Sequence, residues 1–357
     1  MKEEKIIVLI PAYNPDQKMT GLIEALSKNF KYIVVVNDGC SKEYDEVFAG
    51  LSNNNNIEEP IDIVVHEKNK GKGRALKTGY QHILDKYPDA SGIITVDADG
   101  QHTPEDVLKC CAEYHKDPSK VIFGCRDFSK NSGIPARSMF GNRLTSRLMK
   151  FFCDIELSDT QTGLRLVPVS ILPDLLSVKG ERYEYEMNAI FELKDMDQEW
   201  KEVPIEVIYI EDNASSHFNP IKDSLRIYKV FFKFCLSSLG SALVDLVLFS
   251  ILSFFLASLV GDYKIILATV IARICSGIFN YLVNRWIFST KRKKAKASTS
   301  GPKYLLLWLV QMFISAILVN GLAHLLPMIN ATLIKVVIDT ILFFISYKLQ
   351  QKLVFTQ

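Results

Sequence analysis

The residues best suited to chemistry lie in the stretch IITVDADGQHT, residues 93–103. Asp97 and Asp99 stand one residue apart at the end of an apolar run, where bare charge is expensive to bury. Hard carboxylate oxygens so placed suit Mg2+ or Mn2+. Gln101 can add a neutral oxygen, and water and a substrate phosphate would complete the shell. A second group precedes them in HEKNKGKGRALKTGY, residues 66–80, where a basic, glycine-bearing loop enters a helix with Gly71 and Lys72 at its mouth. This loop lacks both the G-x-x-x-x-G-K-[ST] and the G-x-G-x-x-G spacing, which disfavours a P-loop or a dinucleotide fold. Asp38, in NDGC at 37–40, reads either as an acceptor for a base N–H or as a helix cap.

Short β-prone runs must position these groups. IIVLI (6–10), YIVVV (32–36), IDIVV (61–65), GIITV (92–96) and KVIFG (120–124) alternate with helix-length polar patterns. That alternation predicts an α/β domain with a mainly parallel sheet covered by helices. Ligands of such sheets gather at the carboxyl ends of the strands. The segments that follow the strands are PAYNPD, NDGCS, the basic loop, DADGQH and CRDF, so a carboxylate, a basic glycine loop and a paired-acid motif converge on one edge. A nucleotide with a divalent cation fits that edge.

The average composition of the 357 residues, 48% hydrophobic with net charge +2, hides two unlike halves. Four apolar stretches, roughly 236–259, 264–287, 304–326 and 329–350, are each expected to cross a membrane as a helix. The acid-free loop TKRKKAKASTSGPK (290–303) faces the cytoplasm under the positive-inside rule. An even number of spans then puts the first domain on the cytoplasmic side, consistent with a start that runs straight into a strand without a signal peptide. The expected organisation is a domain over 1–220, an amphipathic interfacial helix or stem over 221–235, and four spans over 236–352, in the plasma membrane. Asp245, Arg273, Lys335 and Asp339 fall inside spans, where ionisable groups are costly unless paired or lining a polar path. Asp245 and Arg273 sit at matching depth in a hairpin. Their pair reads as structural or as contact with a lipid phosphate or transport path.

The segment IPARSMFGNRLTSRLMKFF (134–152) mixes Arg137, Arg143 and Arg147 with Phe140, Leu144 and Phe151, a pattern suited to lying beside a bilayer. Seven scattered cysteines form no C-x-x-C pair and read as reduced thiols. Small net charge, with the densest basic run beside the membrane, argues against nucleic acid as a partner.

PAYN, NDG, NKGKG and VDADGQH, in that order over roughly residues 5–220, resemble the family-2 glycosyltransferases of GT-A fold. Within that family they resemble the polyprenyl-phosphate hexose synthases, the group that includes the dolichyl-phosphate mannose synthases. The later half, with NYLVNRWIF at 280–288, resembles a GtrA-type four-helix domain. PAYNPD stands where PAYNEE is more frequent, and NDGC where DDGS is. The resemblance implies transfer of a hexose from a UDP- or GDP-sugar to a polyprenyl (undecaprenyl or dolichyl) phosphate, with UDP-glucose favoured and inversion at the anomeric carbon. It places Pro11, Tyr13, Asn14, Asp38, Gly71, Lys72, Asp97 and Ala98 around the nucleotide, and the metal on Asp97, Asp99 and Gln101. Arg126 and Arg137 fall on phosphates of donor and acceptor, with Ser138, Arg143 and His217 beside the acceptor. Self-association through the spans is open. Competing expectations are a transferase that extends a lipid-linked glycan, and a lipid-handling module with a regulatory soluble domain.

Overall fold

The computed structural model describes residues 5–52, 54, 56–57, 59–126, 136–206, 220–255, 264–288 and 296–355. The chain forms two units, Met1–Ser224 and Leu225–Gln357.

The first unit is built on a sheet of strands β1 (Ile6–Ala12), β2 (Ile33–Asn37), β3 (Asp62–Val65), β4 (Gly92–Thr95), β5 (Val121–Arg126), β6 (Arg165–Pro168) and β7 (Trp200–Ile205), in the order β3-β2-β1-β4-β6-β5-β7. Helices α1 (Gln17–Ser27), α2 (Asp45–Ser52), α3 (Lys72–Lys86), α4 (Pro104–Tyr114), α5 (Ala136–Leu148), α6 (Leu172–Ser177) and α7 (Glu184–Asp195) connect them. The five strands expected from sequence are present within a residue or two. The mainly parallel sheet is corrected to a mixed one. β6 runs antiparallel to both β4 and β5, inserted between them. All four residues of RLVP are buried, so β6 carries no alternation to mark it as a strand. Every residue of β2 and β4 is likewise buried, which is why those strands read as unbroken apolar runs. The central core includes Val8, Ile10, Ile23, Val35, Ile94 and Leu166.

The second unit contains helices α8 (Pro220–Phe255), α9 (Lys264–Phe288), α10 (Ala297–Leu325) and α11 (Ala331–Leu349). The expected set of four membrane-crossing helices is corrected. Among the described residues two stretches are long and apolar enough to cross, Phe232–Leu252 with mean hydropathy 2.0 and Ala297–Leu322 with mean hydropathy 2.1. Polar side chains interrupt the other two. α9 carries Arg273, Asn280, Asn284 and Arg285, and α11 carries Lys335 and Asp339. Residues 221–235 run without a break into the first apolar stretch as part of α8. The turn after α8 and most of the basic loop, 289–295, lie outside the described residues.

Ion pairing inside this unit follows the cost of bare charge in hydrocarbon. Arg273 Nε lies 3.6 Å from Asp245 Oδ2, and Ser276 Oγ donates to Asp245 Oδ1 at 3.1 Å. Asp339 Oδ1 accepts from Ser315 Oγ at 2.6 Å. The side chain of Lys335 lies outside the described residues. A chain of amides ties α9, α10 and α11 together: Tyr304 OH donates to Asn280 Oδ1, and Asn284 Nδ2 donates to Asn280 Oδ1 and Gln350 Oε1. From there Gln350 Nε2 donates to Ser346 Oγ, whose hydroxyl donates to Gln311 Oε1.

Candidate active site

A cleft of about 670 Å³ opens at the carboxyl ends of β1, β2 and β4. Ten of the residues expected to act there line it together: Pro11, Tyr13, Asn14, Asp38, Gly71, Lys72, Asp97, Ala98, Asp99 and Gln101. They come from four separate segments, those that follow β1, β2, β3 and β4, so their meeting is a property of the sheet and not of local sequence.

Asp38 is the hinge of the arrangement. It is 2% exposed, yet its carboxylate is met by three partners. Oδ1 meets His66 Nδ1 at 2.7 Å and the amide of Lys70 at 2.9 Å, while Oδ2 accepts from the amide of Gly71 at 2.8 Å. The His66 ring is held from its other side by Thr78 Oγ1, 2.9 Å from Nε2. Gly71 stands at φ +100°, where an L side chain is strained, and a Cβ there would strike the Glu181 carbonyl. The basic loop is therefore fastened to the end of β2 and turned into α3 at one glycine.

Lys72, the first residue of α3, reaches back with Nζ 2.8 Å from Asp97 Oδ1 and 3.1 Å from Glu186 Oε1. Burial would lower this ammonium, but the charges of Asp97 and Glu186 outweigh it and hold it above lysine's ordinary value. Burial would raise the Asp97 carboxyl, yet Lys72 and then His102 keep it below the usual range. Asp99 is pushed up, first by burial and then by the charge of Asp97. Burial lowers His102, whose Nε2 is 3.9 Å from Asp97 Oδ2 and whose Nδ1 is buried without a hydrogen-bond partner.

A divalent cation fits this donor set. Two carboxylates face one cleft, and one of them is disfavoured as an anion by the other, a penalty that a cation would remove. Among the described residues no cluster of three or more Asp, Glu, His or Cys is arranged to hold a metal. Asp97 and Asp99 would thus leave most positions to water and phosphate, as a magnesium-type site does.

The two departures from the common motifs have structural uses. Asp16 caps α1, its Oδ1 accepting from the amide of Lys18 at 2.8 Å. Asn37 Oδ1 accepts from the amide of Cys40 at 2.9 Å, and Cys40 Sγ accepts from the amide of Asn14 at 3.1 Å. Asn37 and Cys40 thereby tie the loop after β2 to the loop after β1.

Other expected residues are placed differently. Arg126 does not line the cleft; its Nε and Nη2 donate to the two oxygens of Asp159 at 2.7 and 3.2 Å, and Asp159 is fully buried. Arg143 is exposed on α5, on the side that also exposes Phe140, Leu144 and Phe151. Arg137 and Ser138 sit in the first turn of α5, but their side chains lie outside the described residues, as does His217. The stretch GERYEYEMNAIFELK (180–194) is expected from sequence to help close the sugar pocket, and its Arg182 and Tyr183 do line the cleft, but neither residue is singled out there, nor are His66, His102 and Asp159. His102 lies inside the acid motif, while His66 and Asp159 carry no local signal.

Residues 7–176 match the family described as glycosyl transferase family 2, and residues 229–355 match the GtrA/DPMS transmembrane domain. An uncharacterised protein of Methanocaldococcus jannaschii is 30% identical over 65% of this chain and 92% of its own length. The UDP-N-acetylglucosamine–dolichyl-phosphate N-acetylglucosaminyltransferase of Methanococcus voltae is 27% identical over 68% of this chain and all (100%) of its own length. Among solved structures, glucosyl-3-phosphoglycerate synthase from Mycobacterium tuberculosis, in complex with Mn2+, UDP and phosphoglyceric acid, matches with TM-score 0.43 and 14% identity, over 65% of this chain and 77% of that one. The chain belongs to glycosyl transferase family 2, its α/β unit joined to a GtrA-like transmembrane region.

Proposed function

We propose that the protein transfers a sugar from a UDP-sugar to the phosphate of a polyprenyl lipid at the cytoplasmic face of a membrane. The observation that carries this reading is the meeting of Asp38, Lys72, Asp97 and Asp99 in one cleft, in a chain that also holds membrane-length apolar helices. The relative from Methanococcus voltae, whose name specifies a UDP-sugar donor and a dolichyl-phosphate acceptor, supports the substrate class.

The acceptor phosphate is already anionic near neutral pH, so no strong base is needed to make the nucleophile. One acceptor oxygen attacks the anomeric carbon as the bond from that carbon to the donor diphosphate breaks. The electron pair leaves with the nucleoside diphosphate, no proton moves, and in-line attack inverts the configuration. Asp97 and Asp99 would hold Mg2+ or Mn2+, which supplies positive charge for the leaving diphosphate. Lys72 keeps Asp97 ionised and oriented. Asp38 fixes the loop that carries Lys72 and, as a lining residue of the cleft, would accept from the base.

The test uses detergent-purified protein, polyprenyl phosphate, Mg2+ or Mn2+, and a panel of UDP- and GDP-sugars, with the lipid product read by mass spectrometry. A single sugar-phosphate lipid that requires the metal and is absent with Asp99→Ala is expected. No product from any donor would overturn the reading.

A further inference from the structure

Arg182 is a cation on a fixed mount with a free head. Its backbone is pinned from several sides. Lys77 Nζ donates to the carbonyl of Gly180 at 2.8 Å, the amide of Arg74 donates to the carbonyl of Glu181 at 2.9 Å, and the Arg74 guanidinium pairs with the Glu181 carboxylate. Glu184 Oε1 accepts from the amides of Glu181 and Arg182 at 3.1 and 3.3 Å. These contacts press the segment against Gly71, where only a glycine leaves room for Arg182 Cγ. The guanidinium itself is exposed, lines the cleft, and has no hydrogen bond or ion pair with any described residue.

Among the described residues, the other cations that line the cleft, Lys72 and Lys18, are already paired, and so is Arg126 beyond it. Lys72 bridges Asp97 and Glu186, Lys18 pairs with Asp16 at 3.2 Å, and Arg126 is engaged by Asp159. A leaving diphosphate needs a donor fork that is not already spent on a carboxylate, and guanidinium geometry matches phosphate oxygens. We infer that Arg182 is a phosphate-binding residue that grips the diphosphate of the nucleotide donor in the cleft it shares with Asp97 and Asp99. This inference rests on the proposed transferase reading and adds to it a residue that no motif marks.

The test is calorimetric titration of the full-length, detergent-purified chain with UDP and with GDP in the presence of Mg2+. Wild type is expected to bind one of them. Arg182→Gln should bind it about tenfold to a hundredfold more weakly, the range for losing a hydrogen bond to a charged group. Arg182→Lys, which keeps charge but loses the fork, should fall between, with all three proteins melting alike. Unchanged diphosphate affinity in Arg182→Gln would overturn the inference and leave the transferase reading standing. So would a defect confined to the KM for the lipid phosphate. Failure of wild type to bind either nucleotide would overturn both.

Discussion

Gly163 lies directly against the carboxylate of Asp97, so close that a Cβ at position 163 would overlap the Asp97 oxygens. The contact is held by Thr95, whose Oγ1 donates to the Gly163 carbonyl at 2.7 Å. One element of the acid pair is thus set by a glycine on a loop that follows it by more than sixty residues.

Gly163→Ala should therefore move Asp97 and not merely crowd it. A displacement near 1 Å at a reacting centre costs roughly 100-fold in rate. Turnover is expected to fall by about that factor, while overpacking lowers stability by about 1–3 kcal/mol. Steady-state kinetics beside thermal melting checks this. Full activity in Gly163→Ala would mean that the position of Asp97 does not matter.

His66 serves Asp38 in a comparable way. With Asp38 and Thr78 on its two ring nitrogens, it fixes the carboxylate that in turn fixes the amides of Lys70 and Gly71. His66→Ala is expected to raise the donor KM about tenfold, the effect of one lost charge-assisted hydrogen bond, with kcat nearly unchanged. His66→Asn, whose amide nitrogen can replace Nδ1, should recover part of that loss. Equal KM values for the three proteins would show that Asp38 holds the loop unaided.

These two relationships show what the sequence does and does not make legible. The acid motif could be read because its chemistry is local: two carboxylates at the end of an apolar strand have few uses. The convergence of ten cleft residues could be read because parallel strands direct their following loops to one edge. The reversal of β6 could not, since a short, fully buried strand has no pattern that encodes direction. Nor could the fate of Arg126. Its partner Asp159 lies 33 residues downstream, on a loop that only the sheet brings near. Arg182 is no easier to single out, since its side chain has no hydrogen-bond or ion-pair partner among the described residues to mark it.

Far from the cleft, at the sheet edge, Asp62 in β3 gathers His82 Nε2 at 2.6 Å, Lys86 Nζ at 2.8 Å and Tyr87 OH at 3.2 Å. Burial would raise its carboxyl, but the hydrogen bonds from Lys86 and His82 hold it below the ordinary carboxylate range. A carboxyl depressed in the folded state binds fewer protons there than in the unfolded chain. Its stabilisation is present above the unfolded value, about 3.9, and is lost as pH falls through the folded one. Asp62→Asn should cost about 1 kcal/mol near neutrality, with the gap to wild type closing in acid. Melting temperatures measured against pH would show it, and a gap that stays constant throughout the acid range would refute it.

In the second unit, the pair formed by Arg273 and Asp245 gives a prediction that separates a structural role from a functional one. Arg273→Gln strips Asp245 of its cation and leaves it the Ser276 hydroxyl. A lone carboxylate within helices of this apolarity is costly, so the single variant should melt lower in detergent. Adding Asp245→Asn removes the orphaned charge and should restore most of the loss. Polar pairs between membrane helices are worth about 0.6 kcal/mol, and up to about 1.7 kcal/mol, so the coupling in a double-mutant cycle should fall in that range. If the pair only braces the helices, transferase activity will follow melting temperature through all four proteins. If the double variant melts like wild type yet stays inactive with the polyprenyl acceptor, the charges themselves act on substrate, and bracing is not their purpose.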